Sequence, residues 1–251
     1  MHRPNSRKRR LKNMSLDFPN RASKTLLTSF LVKPSMVEPM LTHNRFAERL
    51  RADDATLAIV DGQAGLLPTE ALRNNLLGLA RLGHAFGVPT VLGITGAPKR
   101  DPLLDELLTL FGAETVVRRP GGAFWDDAAS RRAVLAPGRH HLIVAALTAD
   151  FGLAQIALGA RRDGLEVHAV LDASAGSEEG VARVGLARMT TAGIHLTSWV
   201  AVLAELAATG VDTTGGNGCA AVRDNLDNYA IRDAGSPPVW GDSLALPAAR
   251  R

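Results

Sequence analysis

The strongest constraint on the fold is an alternation, from about residue 55 onward, between short apolar runs and segments with helical periodicity. The segments repeat apolar residues at helical spacing and stop at glycine or proline. Runs that are apolar at nearly every position are typical of parallel strands covered by helices on both faces. We therefore predict an α/β protein with a three-layer, Rossmann-like fold and a six-stranded parallel sheet. The predicted strands are 55–61, 90–95, 115–118, 141–147, 167–172 and 194–197.

Charge divides the chain unevenly. Residues 1–35 contain nine Lys or Arg and one acid, whereas the remainder carries a net charge of −4. We predict a disordered basic tail over residues 1–45, a domain over 46–210 and a C-terminal extension over 211–251 with a possible single helix. The tail can be explained as a contact for nucleic acid or anionic membrane, as a targeting peptide, or as the product of an upstream start codon, which we favour.

Composition and motifs exclude several classes of partner for the folded domain. Its acidic balance and 4% aromatic content argue against nucleic-acid binding, and no apolar run approaches the roughly 20 residues that cross a bilayer, so we expect no membrane partner. The single cysteine, Cys219, fits a reducing, cytoplasmic location. No phosphate-binding glycine motif follows the first strand, and no histidine triad is visible. We expect no cofactor and no metal.

Polar residues follow several predicted strands at their carboxyl ends, where open parallel sheets bind ligands. Asp61 follows the first strand, Arg118 and Arg119 the third, Thr148 the fourth and Asp172 the fifth. Only one of the two arginines can face the crevice, because neighbouring strand residues point to opposite sides. An aspartate at such a position is about as often a turn former or helix cap as a functional group. The residues alone predict a small-molecule site with an acid and an arginine.

An ordered set of segments resembles the isochorismatase-like, or cysteine hydrolase, family, and in particular its poorly characterised oligomeric branch. The resemblance covers about residues 50–210. The segments are AIVDGQAGLL at 58–67, NNLL at 74–77, VPTVL at 88–92, RPG at 119–121 with WD at 125–126, LDAS at 171–174, and Met189 through Gly193 to Trp199.

The resemblance implies a catalytic triad that this chain has altered. Family members that hydrolyse amides are similar in using an Asp after strand one, a Lys after strand three and a Cys that opens the helix after strand four. Here Asp61 matches the Asp, Arg119 stands at the Lys, and Gly152 stands at the Cys. The family also implies a cis peptide at Leu147–Thr148. The candidate substrate-binding positions are Thr148, Phe151, Gln63 and Trp125.

Two classes of function follow from the altered triad. Without a thiol at Gly152, hydrolysis of an amide or vinyl ether would have to be non-covalent, with Asp61 as acid or base. A guanidinium beside Asp61 stabilises its ionised form and so favours a base. The alternative is a catalytically inactive member that binds a small molecule or serves as a structural oligomer. The resemblance implies a homo-oligomer, and the apolar segment Trp199–Ala208 is buried either in the core or against another subunit.

Overall fold

The computed structural model describes residues 49–96, 102–176, 179–209 and 218–233. The prediction for the basic tail, and residues 211–217 of the predicted C-terminal extension, lie outside the described residues. Within the described residues, no helix is long and apolar enough to cross a membrane.

Six parallel strands form one sheet in the order β3-β2-β1-β4-β5-β6. The predicted fold class is therefore confirmed. Register is continuous across the centre, where Ala58 lies between Val91 of β2 and Val144 of β4. The strands are β1 Ala55–Val60, β2 Thr90–Thr95, β3 Val116–Arg119, β4 His141–Ala146, β5 Glu166–Val170 and β6 His195–Thr197.

Helices follow the strands, with starts fixed by local side-chain caps. Thr69 accepts a hydrogen bond from the Leu72 N–H at the first helix, and Asp127 caps the third. The helices are α1 Glu70–Ala85, α2 Asp105–Phe111, α3 Ala128–Leu135, α4 Ala154–Arg162, α5 Glu179–Thr191, α6 Trp199–Thr209, α7 Gly218–Ala221 and α8 Arg223–Asp233. The sequence pattern predicts a helix from Asp101 to Phe111, but α2 begins only at Asp105, because Leu103 forms an antiparallel bridge with Gln63.

Two apolar cores lie on opposite faces of the sheet. Leu57 and Ile59 of β1 pack on one side with residues of α1, α2 and α6, whereas Ala58 and Val60 pack on the other with residues of α4 and α5. This alternation along one strand is why β1 is apolar throughout. Strand β1 is thus held at the centre of the molecule, and the residue that follows it has a rigid support.

The apolar helix α6 is used within the chain. Trp199, Val202, Leu203 and Leu206 are buried in the core, and its exposed positions include Ala201 and Ala204. Of the two explanations that the sequence left open, burial in the core accounts for its large apolar residues.

Candidate active site

The carboxyl ends of β1 and β4 form the centre of the site. Val60 pairs with Ala146, so the segments that leave these two strands start side by side. The chain moves from β1 outward through β2 and β3, and from β4 outward through β5 and β6. This is the point where the strand order reverses, and crevices in open α/β sheets form there.

A buried ion pair occupies this edge of the sheet. Nη2 of Arg119 lies 2.6 Å from Oδ2 of Asp61, and the two side chains are only 6% and 13% exposed. Arg119 ends β3 and therefore reaches past β2 to the end of β1. Arg118 is exposed, as expected for a neighbour on the opposite face. The structure thus brings together two of the three predicted catalytic positions.

Arg119 is held by contacts that the sequence analysis missed. Its Nε donates a hydrogen bond of 3.2 Å to the Gly122 carbonyl oxygen, and its Cζ lies 5.6 Å from the centre of the Phe124 ring. The ring in turn lies so close to Gly93 of β2 that a Cβ at this glycine would clash with it. A glycine inside an otherwise apolar strand is the one sequence signal for this close approach.

The ion pair keeps hydrogen-bonding capacity in reserve. Oδ1 of Asp61 and Nη1 of Arg119 are buried and have no hydrogen-bond partner. Asp61 also has a φ of 62°, and among the described residues it is the one non-glycine residue with a positive φ. Backbone strain and unpaired buried polar atoms are both costly, and they concentrate where a ligand is bound.

The turn after β4 brings Gly152 over the end of that strand. Residues Ala149–Leu153 form a π-helical turn, and Thr148 Oγ1 accepts a 2.9 Å hydrogen bond from the Gly152 N–H. A Cβ built at Gly152 would lie 3.5 Å from the Cβ of Ala146, the last residue of β4. This position adjoins the end of β1, because Ala146 pairs with Val60.

One expectation for this turn is wrong. The described residues contain no cis peptide bond, so Leu147–Thr148 is trans. A non-proline cis bond costs about 3–4 kcal/mol and needs surrounding structure that enforces it. Here Thr148 takes an extended conformation, with ψ of 131°, and caps the turn instead.

The other predicted binding positions divide into two groups. Phe151 is exposed beside Gly152, and Gln63 is buried two residues after Asp61, where its Nε2 donates to the Thr95 carbonyl oxygen at 3.2 Å. Trp125 is not brought to the pair. It is buried against Gly159, and its Nε1 donates to Asp163 at the C-terminal end of α4.

Asp172, the acid after β5, caps a helix. Its Oδ1 accepts a 2.9 Å hydrogen bond from the Trp199 N–H at the start of α6. Burial raises the pKa of Asp172 to about 6, although hydrogen bonds from Trp199 and Tyr229 act in the opposite direction. Asp172 therefore caps α6 and is not part of the Asp61–Arg119 pair.

Comparisons with known proteins agree with this architecture. The chain is 34% identical over 166 residues to the probable hydrolase YcaC of Escherichia coli. The aligned region covers 63% of this chain and 80% of that protein. It belongs to the isochorismatase-like hydrolase family. The crystal structure of E. coli YcaC, described as an octameric hydrolase of unknown specificity, superposes with a TM-score of 0.64 at 30% identity, covering 74% of this chain and 97% of that one.

Two further solved structures show the same fold. YcaC from Pseudomonas aeruginosa is 33% identical with a TM-score of 0.66, over 76% of this chain and 98% of that one. An isochorismatase family protein from Burkholderia thailandensis has a TM-score of 0.54 at 15% identity, over 61% of this chain and 96% of that one, and this match concerns the fold alone. No family model matches the chain.

Proposed function

We propose that this member of the hydrolase family binds a small molecule at the Asp61–Arg119 pair and hydrolyses it without a covalent intermediate. The observation that carries the proposal is that Oδ1 of Asp61 and Nη1 of Arg119, both buried at the end of the central strand, have no hydrogen-bond partner. They offer one acceptor and one donor to the same ligand.

The proposed reaction uses the two open atoms in different roles. Asp61 Oδ1 takes a proton from water as the water oxygen forms a bond to the carbonyl carbon of the substrate. Arg119 Nη1 donates a hydrogen bond to the oxygen on which negative charge develops. The proton then passes from Asp61 to the leaving group as its bond to carbon breaks. The Gly152 N–H already donates to Thr148 Oγ1 and so cannot donate to the oxyanion at the same time. We therefore assign that role to Arg119.

Binding without turnover is the second candidate. Gly152 removes the nucleophile that the family uses, and Asp61 already spends one oxygen on Arg119. A family fold does not ensure the family's chemistry. This candidate shares the site and the ligand and differs only in whether a product appears.

The experiment is a screen of small amides, which carry the carbonyl carbon that the proposed reaction needs, followed by mass spectrometry for product and by thermal shift for binding. Asp61→Asn keeps the size of the side chain but cannot accept the proton, so we expect product formation to fall at least a hundredfold. Asp53→Asn, an exposed acid paired with Arg51, is the matched control. Turnover that survives Asp61→Asn contradicts the mechanism, and a thermal shift without product favours binding alone.

We further propose that the chain forms a homo-oligomer in the cytoplasm. Self-association is supported by the octameric state described for E. coli YcaC. The location is supported by the single cysteine, which suits a reducing compartment. Light scattering at micromolar concentration tests the first part, and a monomeric mass contradicts it.

A further inference from the structure

An exposed apolar surface adjoins the turn that carries Gly152. Among the described residues, four large apolar side chains are exposed, and three of them belong to this turn or to α5. Phe151 and Val184 are each 60% exposed, and Val181 is 44% exposed. The fourth, Leu135, ends α3 and lies on a different element. We call Phe151, Val181 and Val184 the α5 patch.

Helix α5 lies directly on the turn that carries Phe151. A Cβ built at Gly185 would lie 2.8 Å from Cα of Asp150 and 3.1 Å from the Ala149 carbonyl oxygen, so the helix and the turn touch through their backbones. Gly185 follows Val184, and Asp150 precedes Phe151. The two most exposed members of the patch therefore lie at one junction.

The residue types in the patch are costly for a surface in water. The contribution of α5 to the core is already made by Ala182, Leu186 and Met189, which are buried on its other face. Valine is a poorer helix former than alanine by about 0.5 kcal/mol, because its branched side chain loses rotamers. A surface that covered these side chains would offset that cost by removing apolar area from water.

We infer that a second copy of this chain covers the α5 patch, in a two-fold contact of α5 against α5, and that this contact also covers the turn beside Asp61 and Arg119. The inference rests on the self-association proposed above and names its surface. Helix α6, the alternative surface that the sequence suggested, spends its large apolar side chains on the core. An apolar patch matches its own copy, as a two-fold contact requires.

The first test places a charge on the patch. Val184→Glu should lower the molar mass measured by light scattering at micromolar concentration at least twofold relative to the wild type. Leu135→Glu puts the same charge at another exposed apolar position and should leave the mass unchanged. A Val184→Glu protein that keeps the wild-type mass overturns the assignment, as does an equal loss of mass in both variants.

A second test does not depend on a disruptive substitution. In a Cys219→Ser background, which removes the exposed native thiol, Val184→Cys should be cross-linked to a covalent dimer by a short bis-maleimide. Leu135→Cys in the same background should remain monomeric on a denaturing gel. Equal cross-linking of both positions, or none at residue 184, contradicts the two-fold contact.

The outcomes separate this inference from the proposed chemistry. A monomeric wild type overturns both self-association and the patch, and leaves ligand binding at Asp61 standing. A wild-type oligomer that survives Val184→Glu overturns the patch alone. Turnover that survives Asp61→Asn overturns the mechanism and leaves the contact standing.

Discussion

The two ends of the sheet each bury a polar cluster, and the clusters differ in charge and in completeness. At the carboxyl end, Asp61 and Arg119 are charged partners with one open atom each. At the amino end, His141 Nδ1 lies 3.1 Å from His168 Nε2, and the His168 and His195 rings stack with centres 4.9 Å apart. The three imidazoles come from the adjacent strands β4, β5 and β6.

The difference supports the proposal that the ligand binds at the carboxyl end. Burial, together with the neighbouring imidazoles of His195 and His141, lowers the pKa of His168 to about 3, so this ring is neutral at physiological pH. The neutral His168 ring, which lies within hydrogen-bonding distance of His141 and stacks on His195, completes a core. The ion pair, in contrast, has two buried atoms without a hydrogen-bond partner and an aspartate with a positive φ, and a ligand could supply the missing hydrogen bonds.

The largest effect is expected at the carboxyl end. Arg119→Ala leaves the Asp61 carboxylate buried without its partner, so the free energy of unfolding should fall by about 3–5 kcal/mol. Arg118→Ala, at the exposed neighbour, should change it by less than about 0.5 kcal/mol. Urea denaturation at pH 7 measures both. Equal small effects would mean that the ion pair does not organise this edge.

The next effect is a pH dependence at the amino end. A folded pKa near 3 against an unfolded value near 6.5 means that stability from His168 is fully present above pH 6.5 and is lost as the pH falls toward 3. The glutamine of His168→Gln cannot be protonated. The free energy of unfolding of this variant, relative to the wild type, should therefore rise by about 2 kcal/mol on going from pH 7 to pH 5. Denaturation at both pH values measures this gain. A constant difference between the two proteins would contradict a buried neutral imidazole.

A third prediction asks whether the carboxyl end still activates a thiol. Gly152→Cys in the Cys219→Ser background introduces a Cβ that meets Thr148 Oγ1 at 3.1 Å, which a small shift of that side chain relieves. Because the turn opens α4 and Arg119 lies at the same edge, the new thiol should react with iodoacetamide at pH 6 about tenfold faster than an ordinary thiol of pKa about 8.5. Glutathione is the reference. An equal rate would show that the activating environment is absent.

The smallest effect concerns Asp172. Its pKa of about 6 lies above the ordinary 3.8, so stability from this group is fully present below pH 3.8 and is lost as the pH rises through 6. Asp172→Asn can still cap α6 but cannot ionise. The free energy of unfolding of this variant, relative to the wild type, should rise by about 1 kcal/mol as the pH rises from 4 to 5. For His168→Gln the corresponding rise comes as the pH falls. The same slope in both variants would show that burial does not dominate at one of them.

Regular structure was readable from the chain because it depends on local spacing. The apolar runs predicted all six strands, and the order of matched segments predicted the fold and the positions Asp61, Arg119 and Gly152. Helix α2 was placed too early at its start because the Gln63–Leu103 bridge joins residues forty apart. The prediction of a cis bond at Leu147–Thr148 was wrong because it was carried over from the family. In this chain the bond is trans, and Thr148 caps the turn.

Sequence by itself determined the parallel sheet and which end of it carries Asp61, since apolar periodicity and strand ends are local properties. Only the tertiary structure decided that Nη2 of Arg119 lies 2.6 Å from the Asp61 carboxylate, that Trp125 donates to Asp163, and that the large apolar side chains of α6 are buried in the core. It also decided that His141 and His168 share a hydrogen bond. These contacts join residues distant in the chain, and they form only when strands and helices pack together and exclude water.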